Sequence, residues 1–231
     1  YNKKNVKINA GWVTTFNEYA VVSENRVTPI AKESSWEVAT LMGCCVTTGL
    51  GAVINLANAK SSDIGIVIGC GGVGLSIIQG LKYRKVKRII AVDIRNNNLR
   101  KARFLGATEV INSLKTNLEK RILKMLENNN KTTKVFVSTN NQRALEKAFM
   151  LTSAKGQCFV VGRPPRKETI KISALDIFLG KKIMGCHGGD CLPDKDIPLY
   201  IKYEKENKIK IKKLIYKTYQ FKDINKAILD F

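Results

Sequence analysis

The sequence predicts an α/β protein built on a parallel, doubly wound sheet, and three observations carry that expectation. Ile64-Gly-Ile-Val-Ile runs directly into Gly69-x-Gly71-x-x-Gly74, and a helix-like segment, Leu75-Ser-Ile-Ile-Gln-Gly-Leu, follows. Strand, tight turn and helix in that order are what a dinucleotide site needs. The next apolar run, Arg88-Ile-Ile-Ala-Val-Asp93, ends in an acid about 20 residues beyond the turn, where a carboxylate can accept hydrogen bonds from an adenosine ribose. From Ser61 to about Gly189, short apolar runs alternate with helix-period segments at βα spacing, which implies a parallel sheet covered on both faces.

Taken in order, residues 1–40 do not read as the start of such a domain. Trp12-Val-Thr-Thr-Phe-Asn-Glu-Tyr-Ala-Val-Val is aromatic and β-branched and predicts a strand. Glu33-Ser-Ser-Trp-Glu-Val-Ala-Thr-Leu-Met predicts a helix capped by Ser34 or Ser35. A helical run to about Ala59 follows the segment Gly43 to Ala52. The sheet then takes strands at 64–69, 88–94, 108–112, 134–138, 157–162 and 182–186, with helices at 73–83, 97–105, 116–127 and 142–151 between them. Beyond Pro193 the pattern gives a helix at about 195–205, a Lys/Ile strand at about 208–215 and a last helix from near Asp223.

The glycines have separate steric tasks. Gly69 permits the sharp turn, Gly71 lets backbone approach a pyrophosphate, and Gly74 lets helix and strand close on each other. Gly72 and Val73 complete the turn, whose helix N-terminus offers unpaired N–H groups to an anion. A carboxylate at Asp93 bonds a ribose 2′-hydroxyl and repels a 2′-phosphate, which favours NAD. Arg95, with Ile94 beside it, softens that preference by stacking on adenine or pairing with a phosphate, so NADP stays open.

Composition bounds the rest. Lys and Arg number 40 against 19 Asp and Glu, a net charge of +21, but the cations are scattered and not interleaved with aromatics, so specific nucleic-acid binding is not expected. No run approaches the ~20 apolar residues of a membrane span. The six cysteines suggest no disulfide framework, which points to a reducing, cytoplasmic setting. Tyr1 in first place, not Met, reads as a fragment.

Gly43-Cys44-Cys45-Val46-Thr47-Thr48-Gly49-Leu50-Gly51-Ala52, together with the glycine turn, closely resembles the zinc-dependent alcohol dehydrogenases of the medium-chain dehydrogenase/reductase superfamily. The likeness extends through Thr14-Thr-Phe-Asn-Glu-Tyr-Ala-Val-Val, Val92-Asp93-Ile94, Ala102 to Asn112, Val160-Val161-Gly162 and Phe221 to Ile228, nearly the whole chain. It implies a Rossmann domain over 46–190, with remnants of a GroES-like, β-rich catalytic domain at 1–45 and a return segment at 191–231. It also implies NAD-dependent oxidation of an alcohol, or the reverse carbonyl reduction. In that family the cysteine of a Gly-Cys-Gly segment ligates the catalytic zinc, and here Cys44 holds that place; a buried structural thiol is the alternative. The remaining zinc ligands would precede Tyr1, so this stretch alone is not expected to assemble a working site, and a pyrophosphate-binding arginine would follow Phe231. Cys45 stands where the family has glycine. Thr48 corresponds to the threonine beside the nicotinamide, with a helix N-cap hydroxyl as the other reading, and Val161, Gly162 and Arg163 correspond to the stretch that meets the carboxamide. The last strand, near Lys182 to Cys186, is where family members pair into dimers, so a homo-oligomer is expected. Cys186, His187, Asp190 and Cys191 are all ligand types, but their spacing matches no standard metal site. Two other readings stand beside the enzyme: a non-catalytic nucleotide-binding module, and a zinc-independent quinone oxidoreductase of the same superfamily.

Overall fold

The computed structural model describes residues 16–127 and 131–230. Its centre is one six-stranded, all-parallel sheet in the order β3-β2-β1-β4-β5-β6, with β1 Ile64–Ile68, β2 Arg88–Asp93, β3 Glu109–Asn112, β4 Thr133–Val137, β5 Gln157–Val160 and β6 Lys182–Gly185. The chain builds outward from β1 to β3, then returns to the other side of β1 for β4. That reversal opens a crevice at the carboxyl ends of β1 and β4, where open α/β sheets take ligands. β1 is buried at all five positions because both faces are covered.

The two faces separate by the pleat. Ile64, Ile66 and Ile68 join Val135, Val137 and Cys158 under α5 (Leu118–Leu126) and α6 (Gln142–Met150). Val67, Phe136 and Phe159 lie under α3 (Gly72–Tyr83), α4 (Asn96–Leu105) and the helices that flank them. Those are α1 (Trp36–Met42), α2 (Cys45–Gly51), which continues as a π-helical segment at Ala52–Leu56, and α8 (Pro193–Lys205). Phe136 and Phe159 stack at 4.9 Å between ring centroids in the middle of this layer.

Three local expectations are corrected, and one helix was not predicted. Phe16 to Val22 forms no strand; Phe16, Tyr19 and Val21 are exposed, and among the described residues every strand belongs to the one sheet, which this segment does not join. The earlier part of that expected strand lies outside the described residues. Residues 208–215 are not a strand but carry a 3₁₀ turn at Ile211–Leu214. Their N–H groups find local or side-chain acceptors, Lys208 N and Ile209 N donating to Tyr203 O, Lys210 N to Gln79 Oε1 and Ile211 N to Glu204, while Ile209, Ile211 and Leu214 turn into the core. Ser35 occupies the N-cap of α1, but its hydroxyl donates to Glu37 and caps nothing, and Ser34 Oγ is buried without a partner. A short helix, α7 (Ala174–Phe178), capped by Ser173 Oγ accepting from Asp176 N, was not visible in the periodicity. The final helix, α9, is Ile224–Leu229.

Candidate functional site

The site forms where β1 passes into α3. Gly69 leaves the strand at φ +90°, a conformation open to glycine, and its N–H donates to Val92 O at 2.8 Å while Ser138 Oγ donates to its carbonyl at 2.7 Å. A Cβ on Gly74 would sit 1.9 Å from Gly69 O, so the turn closes only with glycine there. Gly71 is the N-cap of α3 and has nothing within 4 Å of where a Cβ would point. Open space thus faces the first turn of a twelve-residue helix, before Leu75 N makes the first intrahelical bond to Gly71 O. The N–H groups of Gly72, Val73 and Gly74 precede that bond, and an anion of pyrophosphate type fits this cradle.

Asp93, at the end of β2, is 9 % exposed and already bonded three ways. Its Oδ2 accepts from Cys70 N at 2.7 Å and Asn98 Nδ2 at 3.2 Å, and its Oδ1 from Arg95 N at 2.7 Å. A carboxylate has about four lone-pair sites, so roughly one remains, on Oδ1, for a ribose hydroxyl. The same group therefore bolts the glycine turn to the β2–α4 loop. Ile94 and Arg95 are exposed on that loop. Asn112, closing β3, steadies it by donating through Nδ2 to Ile94 O at 3.1 Å and Asn96 Oδ1 at 2.7 Å. Sequence reasoning missed Asn98, Asn112 and Ser138; for Asn112 and Ser138 the available signal was an amide or hydroxyl at, or just past, the carboxyl end of a strand, while Asn98 sits inside α4.

On the other side of the crevice, Val161 N and Gly162 N both donate to Val137 O, at 2.9 and 2.8 Å. A Cβ on Gly162 would lie 2.4 Å from Thr139 O, so β5 leaves the sheet hard against the β4 loop, with Arg163 exposed beyond it. Cys44 and Thr48 come from the helix packed along α3. Cys44 is exposed, not the buried thiol of the alternative reading, and is the N-cap of α2. Thr48 is buried inside α2, so it is not an N-cap; Thr47 Oγ1 instead bonds Met42 O and Cys44 O, both at 3.0 Å. The Cys45 side chain reaches Gly72, whose Cβ would meet its sulfur at 2.7 Å, and it lies 3.8 Å from Ser76 Oγ; burial pushes this thiol up. Glycine-turn, Asp93 and Gly162 segments thus share one edge of the sheet, and α2 lies beside it.

Among the described residues no group of three or more His, Cys, Asp or Glu gathers as a metal site. Around His187, the Cys186 thiol is pushed up by burial, and Cys191 is pushed up to about 12 by burial and then by the Asp196 carboxylate. All six cysteines are free, and no single described helix is long and apolar enough to cross a membrane.

Residues 72–203 match the family model described as zinc-binding dehydrogenase. The chain is 32% identical over 224 residues to S-(hydroxymethyl)glutathione dehydrogenase of Saccharomyces cerevisiae, covering 94% of this chain and 57% of that protein. It is 30% identical over 221 residues to the protein of the same name from Synechocystis sp., covering 93% and 58%. Among solved structures, benzyl alcohol dehydrogenase from Acinetobacter calcoaceticus superposes with a TM-score of 0.85 at 32% identity, over 91% of this chain and 58% of that one. An alcohol dehydrogenase zinc-binding domain protein from Burkholderia ambifaria gives 0.85 at 28% identity, over 91% and 56%. The chain spans less than three-fifths of the length of each of these relatives.

Proposed function

The chain belongs to the zinc-binding dehydrogenase family, and we propose that it is the cofactor-binding portion of an alcohol dehydrogenase that moves hydride between an alcohol, or its carbonyl product, and NAD. The observation that carries this reading is the open cradle at Gly71, set on the N-terminus of α3 and tied by Cys70 N to Asp93 at the end of the neighbouring strand β2. In it Gly71, Gly72, Val73 and Gly74 hold the pyrophosphate, and Asp93 takes one ribose hydroxyl between Ile94 and Arg95. Val161, Gly162 and Arg163 meet the carboxamide, and Thr48 flanks the nicotinamide. Bound NAD supplies the hydride acceptor; the chain's residues bind and orient it. The described residues bring one zinc-ligand candidate to this region, Cys44, and do not by themselves make a zinc site. The relatives are named for different alcohols, S-(hydroxymethyl)glutathione and benzyl alcohol. A reducing, cytoplasmic setting suits six free thiols.

Titration calorimetry with NADH and NADPH on the purified chain tests the reading. NADH is expected to bind more tightly than NADPH, and a folded sample that takes up no NADH at millimolar concentration refutes it. Asp93→Ala removes a charged acceptor, and the NADH-over-NADPH preference should fall about tenfold, the order of one charge-assisted hydrogen bond. An unchanged ratio would show that Asp93 serves the turn alone.

A further inference from the structure

Directly after His187, three consecutive residues adopt left-handed backbone: Gly188 (φ 67°), Gly189 (φ 74°) and Asp190 (φ 49°). For Asp190 that conformation is strained, and it persists where surrounding structure over-determines it. Gly189 lies directly on α2. A Cβ there would fall 2.6 Å from Thr47 O and 2.7 Å from Thr48 O, and a Cβ on Gly51 would fall 2.3 Å from Gly189 O. The contact has no slack, so the placement of this loop and of the helix that carries Thr48 are one variable.

What fixes that variable is Asn55, on the π-helical continuation of α2. A π turn shifts the register of side chains that follow and recurs at functional sites. Asn55 Nδ2 donates to Asp190 O at 3.2 Å, to Gly189 O at 3.5 Å and to Asp196 Oδ2 at 3.2 Å. Asp196, on α8 and buried, also accepts from Leu192 N at 2.8 Å through the same oxygen, which closes the loop's far end. One amide thus joins the helix of Thr48, the loop of His187 and α8.

We infer that Asn55 and Asp196 are positioning residues for the nicotinamide end of the cofactor site, acting by locking the His187–Asp190 loop onto α2. The inference rests on the NAD reading above, but it concerns one half of the cofactor only. The adenosine half is held at Gly69 to Gly74 and Asp93, to which none of the lock's hydrogen bonds runs.

That division supplies the test. ADP-ribose has the adenosine and pyrophosphate groups of NADH and lacks the nicotinamide. Asn55 is solvent-exposed, so Asn55→Ala leaves no cavity, and Asn55→Asp sets a like charge against Asp196. Calorimetry on the full chain should find NADH binding weakened about fivefold or more in Asn55→Ala and further in Asn55→Asp, with ADP-ribose affinity within about twofold of wild type and the melting temperature nearly unchanged. Equal losses for both ligands would mean a merely structural role, and no loss for either would mean the lock positions nothing; each overturns the inference. Wild-type chain that binds neither ligand removes the NAD reading itself, and the inference with it.

Discussion

Gly71 and Gly74 stand three residues apart in one turn and answer different physical demands. Gly74 has no room: its Cβ would press on the backbone carbonyl of Gly69, which is already held by Ser138 Oγ. Gly74→Ala should therefore cost about 3 kcal/mol of stability in a urea melt, at the upper end of overpacking, because neither side of the clash can yield. Gly71 has ordinary φ, −73°, and open space beside it. Gly71→Ala should change stability by less than about 0.5 kcal/mol, yet weaken NADH at least tenfold, because the methyl group stands where the pyrophosphate must approach. Wild-type NADH affinity in folded Gly71→Ala would dislodge the anion from this turn. The glycine spacing and the acid at Asp93 were legible in the sequence because each is a local steric or charge requirement. The sharing of Asp93 among Cys70 N, Arg95 N and Asn98 was not, since it depends on how β1 and β2 register, Ile68 beside Val92. Asn55 was invisible for the same reason: its partners lie more than 130 residues away.

At the level of elements, the six strands and the helices between them were legible because buried parallel strands are near-continuous apolar runs and the helices keep a 3.6-residue period. The failures share one cause. Lys208 to Ile215 alternates like a strand, but its N–H groups go to Tyr203 O, to the Gln79 and Glu204 side chains and to its own 3₁₀ turn instead of a neighbouring strand, and no local pattern distinguishes the two. The α7 segment is too short to show a period. Cys158 is fully buried under α6, and burial pushes its thiol up to about 12, against a smaller lowering by the Thr152 hydroxyl. A raised folded pKa means that the protonated thiol's contribution is fully present below the unfolded value, about 8.5, and is lost as pH rises from there toward about 12. Cys158→Ala removes that proton linkage. Between pH 8.5 and 10.5 its stability should fall by about 2 kcal/mol less than that of the wild type, on top of a pH-independent cost for the lost side chain. Denaturant melts across that range decide it: parallel curves for the two proteins would mean that Cys158 titrates normally in the fold.

For the whole molecule, the open edge at β6 and the net charge of +21 pull against each other. β6 pairs with β5 alone among the described strands, and natural sheets seldom leave such an edge bare. Beside it, α7 and the residue after it expose Leu175, Phe178 and Leu179 at 63, 85 and 57 %. A second copy joined about a two-fold axis would cover both features at once, because an isologous contact lets each edge strand pair with its own image. Lys182 N and Cys186 N donate inward to Gly156 O and Val160 O, so by alternation the Ile183 N–H points out to the edge. Ile183→Pro thus removes an outward donor and spares the β5 ladder. Like charges on the two copies oppose their approach and are screened by salt, so association should strengthen as ionic strength rises, the reverse of binding to a polyanion. Sedimentation equilibrium at about 50 μM, with salt raised from roughly 0.05 to 0.5 M to shorten the screening length, should move the mass from the 25.8 kDa of one chain toward twice that value. Ile183→Pro should stay at one chain's mass throughout. A wild-type protein that remains monomeric at the higher salt leaves β6 as a true free edge, and the apolar face of α7 would then need a different cover.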